Sequence, residues 1–366
     1  MVDKVRLIRP YISFEEVEED FRRVFASGML TRGEQIAAFR EELARYTGAR
    51  HVFFATSGTT ALSVCIKLLG IENGDEVVIA DFSFPASANV VEDVGARPVF
   101  ADVSPDTFNM RIEELDRCLS PRTKAVMFVD ALGNPTGVQA IAAECRRRGI
   151  PLIEDAACAL GSSEAGARCG NIADLTCFSF HPRKLLTTGE GGAITTNDDR
   201  WAKWLTVKLS HGATGNEGVA LEFGEFGYNY RLGELQAVMG RTQLRKLDGI
   251  VDRRNSIRKA YCDELLDDGF TVQQLGPSTR HNVQSMAFKV PPGVDRNALV
   301  RYLQSTGVES TIGTYALSAT RFYRDKYADV QPVATMLYEK TITLPCYDGV
   351  DVDRVVAACR AFVSRR

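Results

Sequence analysis

"FSFHPRKLLTTGEGGAITTND", residues 178–198, decides how this chain reads. It starts as the end of an apolar strand, delivers Lys184 after a short loop, and returns through Thr187, Thr188 and glycines 189, 191 and 192 into a second apolar run, "GAITT". A lysine solvated at the surface needs no such setting. One placed at the carboxyl end of a buried strand is partly desolvated, which makes an amine nucleophilic toward an aldehyde. A solvated surface charge remains the alternative for any single lysine, so the surrounding chain has to discriminate.

Working outward, "HVFFAT" (51–56), "EVVIAD" (76–81), "RPVFAD" (97–102), "AVMFVD" (125–130), "PLIED" (151–155) and "TCFSF" (176–180) join "GAITT" (192–196) as predicted strands. Their apolar residues are continuous rather than alternating, as in strands covered on both faces. Helical patterns separate several of them. "TTALSVCIKLLG" sets Ala61, Leu62, Cys65, Ile66 and Leu69 on one side, with Gly70 as a stop. This alternation predicts an α/β fold with a mostly parallel sheet. The character changes near residue 230. A long helical pattern, broken once, leads to "MAFKV" (286–290), "VESTIG" (308–313) and "TITLP" (341–345), predicting a smaller α+β unit. The expected division is a large domain over 1–245, including the N-terminal segment, and a small one over 246–366.

A net charge of −3 and 25% charged residues leave no electrostatic footprint for nucleic acid or an anionic membrane. The run Arg146–Arg148 reads as a solvated helix end, where cations suit the dipole. Nine scattered cysteines, none in CxxC spacing, argue against a disulfide framework or a zinc site. With no apolar span fit for a bilayer, the expected setting is a reducing cytoplasm.

In an open α/β sheet, ligands bind at the carboxyl ends of the strands. After "HVFFAT", Ser57-Gly58-Thr59-Thr60 opens a helix whose free N–H groups suit a phosphate, although any capped helix looks the same. After "PLI", Glu154-Asp155-Ala156-Ala157 offers a carboxylate for a buried cation, or else a helix N-cap. After "TCFSF" stand Ser179, His181 and Lys184. Phosphate cradle, carboxylate and amine are the three groups that pyridoxal 5'-phosphate requires, for its phosphate, its pyridine nitrogen and its aldehyde.

At these residues the chain resembles a known family. "LTRGEQIAAFREELARYTGARHVFFATSGTTAL", "IEDAACALGS", the lysine stretch and "GYNYRLGELQAVMG" are similar, in order and spacing, to the DegT/DnrJ/EryC1/StrS sugar aminotransferases. The similarity runs from about Arg9 to about Asp252 and continues weakly beyond. It implies the fold of type I pyridoxal-phosphate enzymes, aspartate aminotransferase-like, with a seven-stranded sheet. It implies that Lys184 forms the internal aldimine and shuttles the proton, and that Asp155 pairs with the pyridine nitrogen. Gly58, Thr59 and Ser179 then bind the phosphate, and Phe84 stacks on the ring. Asn229 reaches the phosphate in a partner subunit, so a homodimer with shared sites is implied. Phe84 as a core aromatic, Ser179 as a plain strand residue, and Tyr230 and Arg231 as helix-start packing remain open readings. His181 reads as structural.

Two departures stand out. Members usually carry Gln or His where this chain has Cys158, near the ring hydroxyl, and a thiol is a weaker donor. Several carry a substrate-side histidine where this chain has Ser318. The implied reaction is a ping-pong transfer of an amino group from an amino acid, L-glutamate first among candidates, to a keto sugar on a nucleoside diphosphate. A sugar dehydratase of the same fold replaces the lysine, typically by histidine, whereas Lys184 is present. A cysteine desulfurase has histidine directly before the lysine, where this chain has Arg183. A cofactor-binding regulator without turnover would have lost Lys184 or Asp155, and a nicotinamide dehydrogenase would need a GxGxxG fingerprint. No metal is expected.

Overall fold

A computed structural model describes residues 4–217 and 219–364. The ends of the two expected domains, residues 1–3 and 365–366, lie outside the described residues. All seven strands read from the sequence form: β1 His51–Ala55, β2 Glu76–Ala80, β3 Arg97–Ala101, β4 Thr123–Val129, β5 Leu152–Asp155, β6 Leu175–Ser179 and β7 Gly192–Thr196. They make one sheet in the order β1-β7-β6-β5-β4-β2-β3. Only β7 is antiparallel to its neighbours, so β1, β4, β5 and β6 all end at the same edge.

The continuous apolar runs follow from burial on both faces. Val77 and Ile79 of β2 join Met127 and Ile153 in a core under the helices Gly58–Leu68 and Ala86–Glu92. Their neighbours Val78 and Ala80 pack the opposite way, with Val126, Phe128 and the helix Val138–Arg148. That helix ends as its sequence predicts. Gly149 caps it in the left-handed region (φ 68°), and Arg147 and Arg148 pair with Glu144. Toward β1, Val52, Phe54 and Phe178 pack against Phe39 and Leu43 of the helix Glu34–Thr47.

The helical pattern after residue 230 breaks between the helices Glu234–Leu244 and Leu247–Leu265, and a domain division near 245 is proposed at this break. Beyond it lies an antiparallel four-stranded sheet: Thr271–Val272, Met286–Lys289, Thr341–Leu344 and Thr311–Ile312 in spatial order. Val17 and Val24 pack on Val238 of the helix Glu234–Leu244, whereas the first described residues reach the smaller unit. Val5 pairs with Val308 and packs into its core beside Phe288 and Leu344. One residue pairing is too short to leave a periodic signal in the sequence.

Two short pairings strap the units together, Tyr315–Ala316 onto Phe82–Ser83 and Thr279–Arg280 onto Ser163–Glu164. Among the described residues, no helix is long and apolar enough to cross a membrane.

Candidate active site

The strand ends converge on a cavity of about 510 Å³ between the two units. Gly58, Thr59, Phe84, Asp155, Cys158, Ser179, His181 and Lys184 line it from the large sheet, and Leu7, Gln284, Thr314 and Leu344 from the other side.

Ser57 leaves β1 in an extended conformation and caps the next helix reciprocally. Its Oγ accepts from the Thr60 N–H (3.1 Å), while Thr60 Oγ1 accepts from the Ser57 N–H (2.9 Å). That box satisfies Thr60 and leaves the turn's first N–H groups, on Gly58 and Thr59, for the cavity. Glycine is needed here for close approach. A Cβ on Gly58 would stand 2.9 Å from the Ser179 Cβ, and one on Gly192 would stand 2.5 Å from the Ser57 carbonyl carbon. The packing brings Ser179 against the helix start, so a hydroxyl stands beside two free N–H groups in an arrangement that suits an anion.

Asp155 ends β5 and is 5% exposed. No helix follows it. Its Oδ1 accepts from the Ala157 N–H (3.2 Å) within a turn, which sets aside the helix-cap alternative. Its Oδ2 accepts from Ser87 Oγ (2.7 Å), itself 2.8 Å from Ser83 Oγ. Burial pushes the carboxyl above its ordinary range, opposed by the Ser87 and Ala157 hydrogen bonds and then by the Lys184 charge. A carboxylate paid for by so little positive charge suits a cationic ring nitrogen. Lys184 follows a turn in which its N–H donates to His181 O (2.8 Å), and its Nζ lies 3.1 Å from Cys158 Sγ. Amine, carboxylate and cradle thus share one cavity, which fits pyridoxal phosphate.

The remaining expectations divide. Phe84 is 63% exposed on the rim, edge-on to Tyr315 at 6.2 Å, so it is no core aromatic. His181 faces Glu190 at 4.0 Å, and its Nδ1 accepts from the Arg183 N–H (3.2 Å). Tyr230 stacks on Tyr228 at 5.0 Å. Asn229 is exposed and is not brought to this chain's own cavity. Ser318 does not face the cavity. It is buried, its N–H and Oγ donating to Asp81 at 2.6 and 2.7 Å, and it accepts from the Gln331 N–H. This latch holds the 314–318 segment beside the rim.

Three groups escaped the sequence reading. Ser87 and Gln284 carried no local signal. Asp130, directly after β4, is 1% exposed and converges with Glu154 and Cys169, their ligating atoms within 4.8 Å. Burial raises both carboxyls, and Asp130 rises further beside the Glu154 charge. Glu154 Oε2 accepts from Thr176 Oγ1 (2.7 Å) and the Gly170 N–H (3.2 Å), whereas Asp130 has only the weak Cys169 thiol to favour its charge. Donors at Thr176 and Gly170 thus favour the charge on Glu154, while Asp130 is held well above the usual carboxylate range.

Comparison with known proteins agrees with this geometry. The family described as the DegT/DnrJ/EryC1/StrS aminotransferase family matches residues 12–362. GDP-perosamine synthase of Caulobacter vibrioides is 33% identical over 89% of this chain and 89% of its own. The dTDP-4-dehydro-2,3,6-trideoxy-D-glucose 4-aminotransferase of Saccharopolyspora spinosa is 32% identical, covering 95% and 93%. The crystal structure of an aminotransferase, TlmJ, from Streptoalloteichus hindustanus superimposes with a TM-score of 0.93 at 32% identity over 99% of both chains. With the sheet, the lysine and the cradle in place, the chain belongs to the DegT/DnrJ/EryC1/StrS aminotransferase family and is a pyridoxal-phosphate-dependent aminotransferase of fold type I.

Proposed function

We propose that the protein moves an amino group from L-glutamate to a keto sugar carried on a nucleoside diphosphate, in two half-reactions at one site. One observation carries the reading: Lys184, Asp155 and the Gly58–Thr59 turn face a single cavity of about 510 Å³. The acceptor class is supported by two relatives whose names carry a GDP-linked and a dTDP-linked sugar.

When bound, pyridoxal phosphate supplies the electron sink that stabilises a carbanion at the substrate Cα. The chain's own residues do the rest. The Gly58 and Thr59 N–H groups and Ser179 Oγ would hold the phosphate, Asp155 would keep the ring nitrogen protonated, and Phe84 would cover the ring. Lys184 Nζ would take the proton from the donor Cα and hand it on within the same half-reaction, and the second half-reaction would run that transfer in reverse. The apolar Leu7 and Leu344 side of the cavity would help keep water from the reacting atoms.

A second copy of the chain completes the site in this reading. Asn229 is exposed near Phe223 and Phe226, which are 59% and 71% exposed. The free state of all nine cysteines fits a reducing, cytoplasmic setting.

The test is the visible spectrum of the cofactor-loaded protein. L-glutamate should bleach the yellow band of the lysine-bound cofactor, and a nucleotide-linked keto sugar should restore it. A band that glutamate leaves unchanged would exclude this donor. A bleached band that no nucleotide-linked keto sugar restores would exclude the acceptor class.

A further inference from the structure

We infer that Gln284, on the smaller unit, is a positioning residue that fixes where the Lys184 amine stands; the inference rests on Lys184 being the catalytic lysine. The side-chain amide of Gln284 grips both peptide groups flanking that lysine. Its Nε2 donates to Arg183 O (2.7 Å) and its Oε1 accepts from the Leu185 N–H (2.8 Å). The Lys184 Cα is thereby fixed from both sides by a residue outside its own loop.

The grip is itself built in. The Gln284 N–H donates to Asn282 Oδ1 (2.9 Å), and Asn282 Nδ2 donates to Cys158 O (2.8 Å) and Leu160 O (2.9 Å). One turn therefore holds the lysine loop and the Cys158 loop, and with them the 3.1 Å approach of Lys184 Nζ to Cys158 Sγ.

Two features show that the turn is maintained at a cost. Val283 sits at φ +53°, a left-handed conformation that strains a β-branched residue. Arg254, 1% exposed, gives its guanidinium to neutral acceptors, with Nε to Val283 O (2.8 Å) and Nη2 to Gln284 O (3.1 Å). Its Nη1 serves Cys346 O and the Tyr11 hydroxyl. A strained residue and a buried cation used to hold one turn mark that turn as a device rather than a connection.

The test begins on the cofactor-free protein. In Gln284→Met, which keeps the volume but not the hydrogen bonds, the Leu185 amide should exchange its hydrogen at least about tenfold faster. In the loaded enzyme kcat should fall about 10–100-fold with KM for the acceptor little changed, as for a misplaced catalytic group. The pH midpoint of the lysine-bound visible band should also move. Gln284→Glu keeps the acceptor for Leu185 and loses the donor to Arg183, so it should recover amide protection but only part of kcat; it also serves if the methionine variant does not fold. Wild-type amide exchange, pH midpoint and kcat in a folded variant would overturn the inference. A lowered melting temperature with unchanged kcat would do the same, leaving Gln284 merely structural. If the Lys184→Ala protein retained the visible band, the Lys184 assignment would fall, and the positioning role with it. The amide exchange, read without cofactor, would show whether the grip itself had failed.

Discussion

Replacing Asp130 by asparagine should stabilise the protein, and increasingly so as the pH rises. The fold buries two carboxyls against each other, with Asp130 on the cavity wall, and the donors at Thr176 and Gly170 both go to Glu154. Asp130 therefore keeps a proton that the unfolded chain gives up once the pH passes the ordinary carboxylate range. The native state binds more protons than the unfolded one, so stability is greatest below the unfolded pKa and falls as pH rises toward the raised folded value. One such proton adds about 1.4 kcal/mol of difference per pH unit for as long as the folded state holds it and the unfolded chain has given it up. Asparagine keeps the volume, carries no titrating proton, and can offer its amide to Glu154.

The assay is the denaturation midpoint of Asp130→Asn against the parent, in steps from about pH 5 to about pH 8. The difference should be small at the acidic end and widen steadily in the variant's favour. Asp81, also buried and pushed up to about 7, puts its own slope into both proteins and cancels in the difference. A difference that stays constant with pH, or grows against the variant, would refute the protonated-pair reasoning.

Other substitutions test the cavity directly. Lys184→Ala should remove the visible band of the bound cofactor and lower turnover by about 10²–10⁴-fold, read by absorbance and by steady-state kinetics. Ser87→Ala removes the 2.7 Å hydrogen bond to Asp155, and at about 1.5–3 kcal/mol for a bond to a charged group should weaken cofactor retention about 10–100-fold in equilibrium dialysis. Gly58→Val drives a side chain into Ser179 and the cradle, so the purified protein should carry little cofactor while its circular dichroism stays native. Mixing Lys184→Ala with Asn229→Ala protein should regain activity if sites are shared between two copies, because one site of the mixed dimer then has both residues; no recovery would sink the shared-site proposal.

What the sequence could disclose follows from how each residue reaches the cavity. Lys184, Asp155, Gly58 and Ser179 lie within or just beyond strands whose two-sided burial leaves continuous apolar runs, so the sheet edge that gathers them is implied by local pattern. Ser87 meets Asp155 from 68 residues away, and Gln284 meets Leu185 from 99. Those meetings depend on how a helix packs and where the smaller unit docks, neither of which is written in any local period. Ser318 shows the same limit from the other side. Its segment has no strong periodicity to separate inside from rim, and only the buried Asp81 beneath it turns the serine away from the cavity. The chemistry was readable because it sits where strands end, whereas its positioning depends on long-range docking. Substitutions at Gln284 or Ser87 should accordingly alter the rate or cofactor affinity while every sequence motif stays intact.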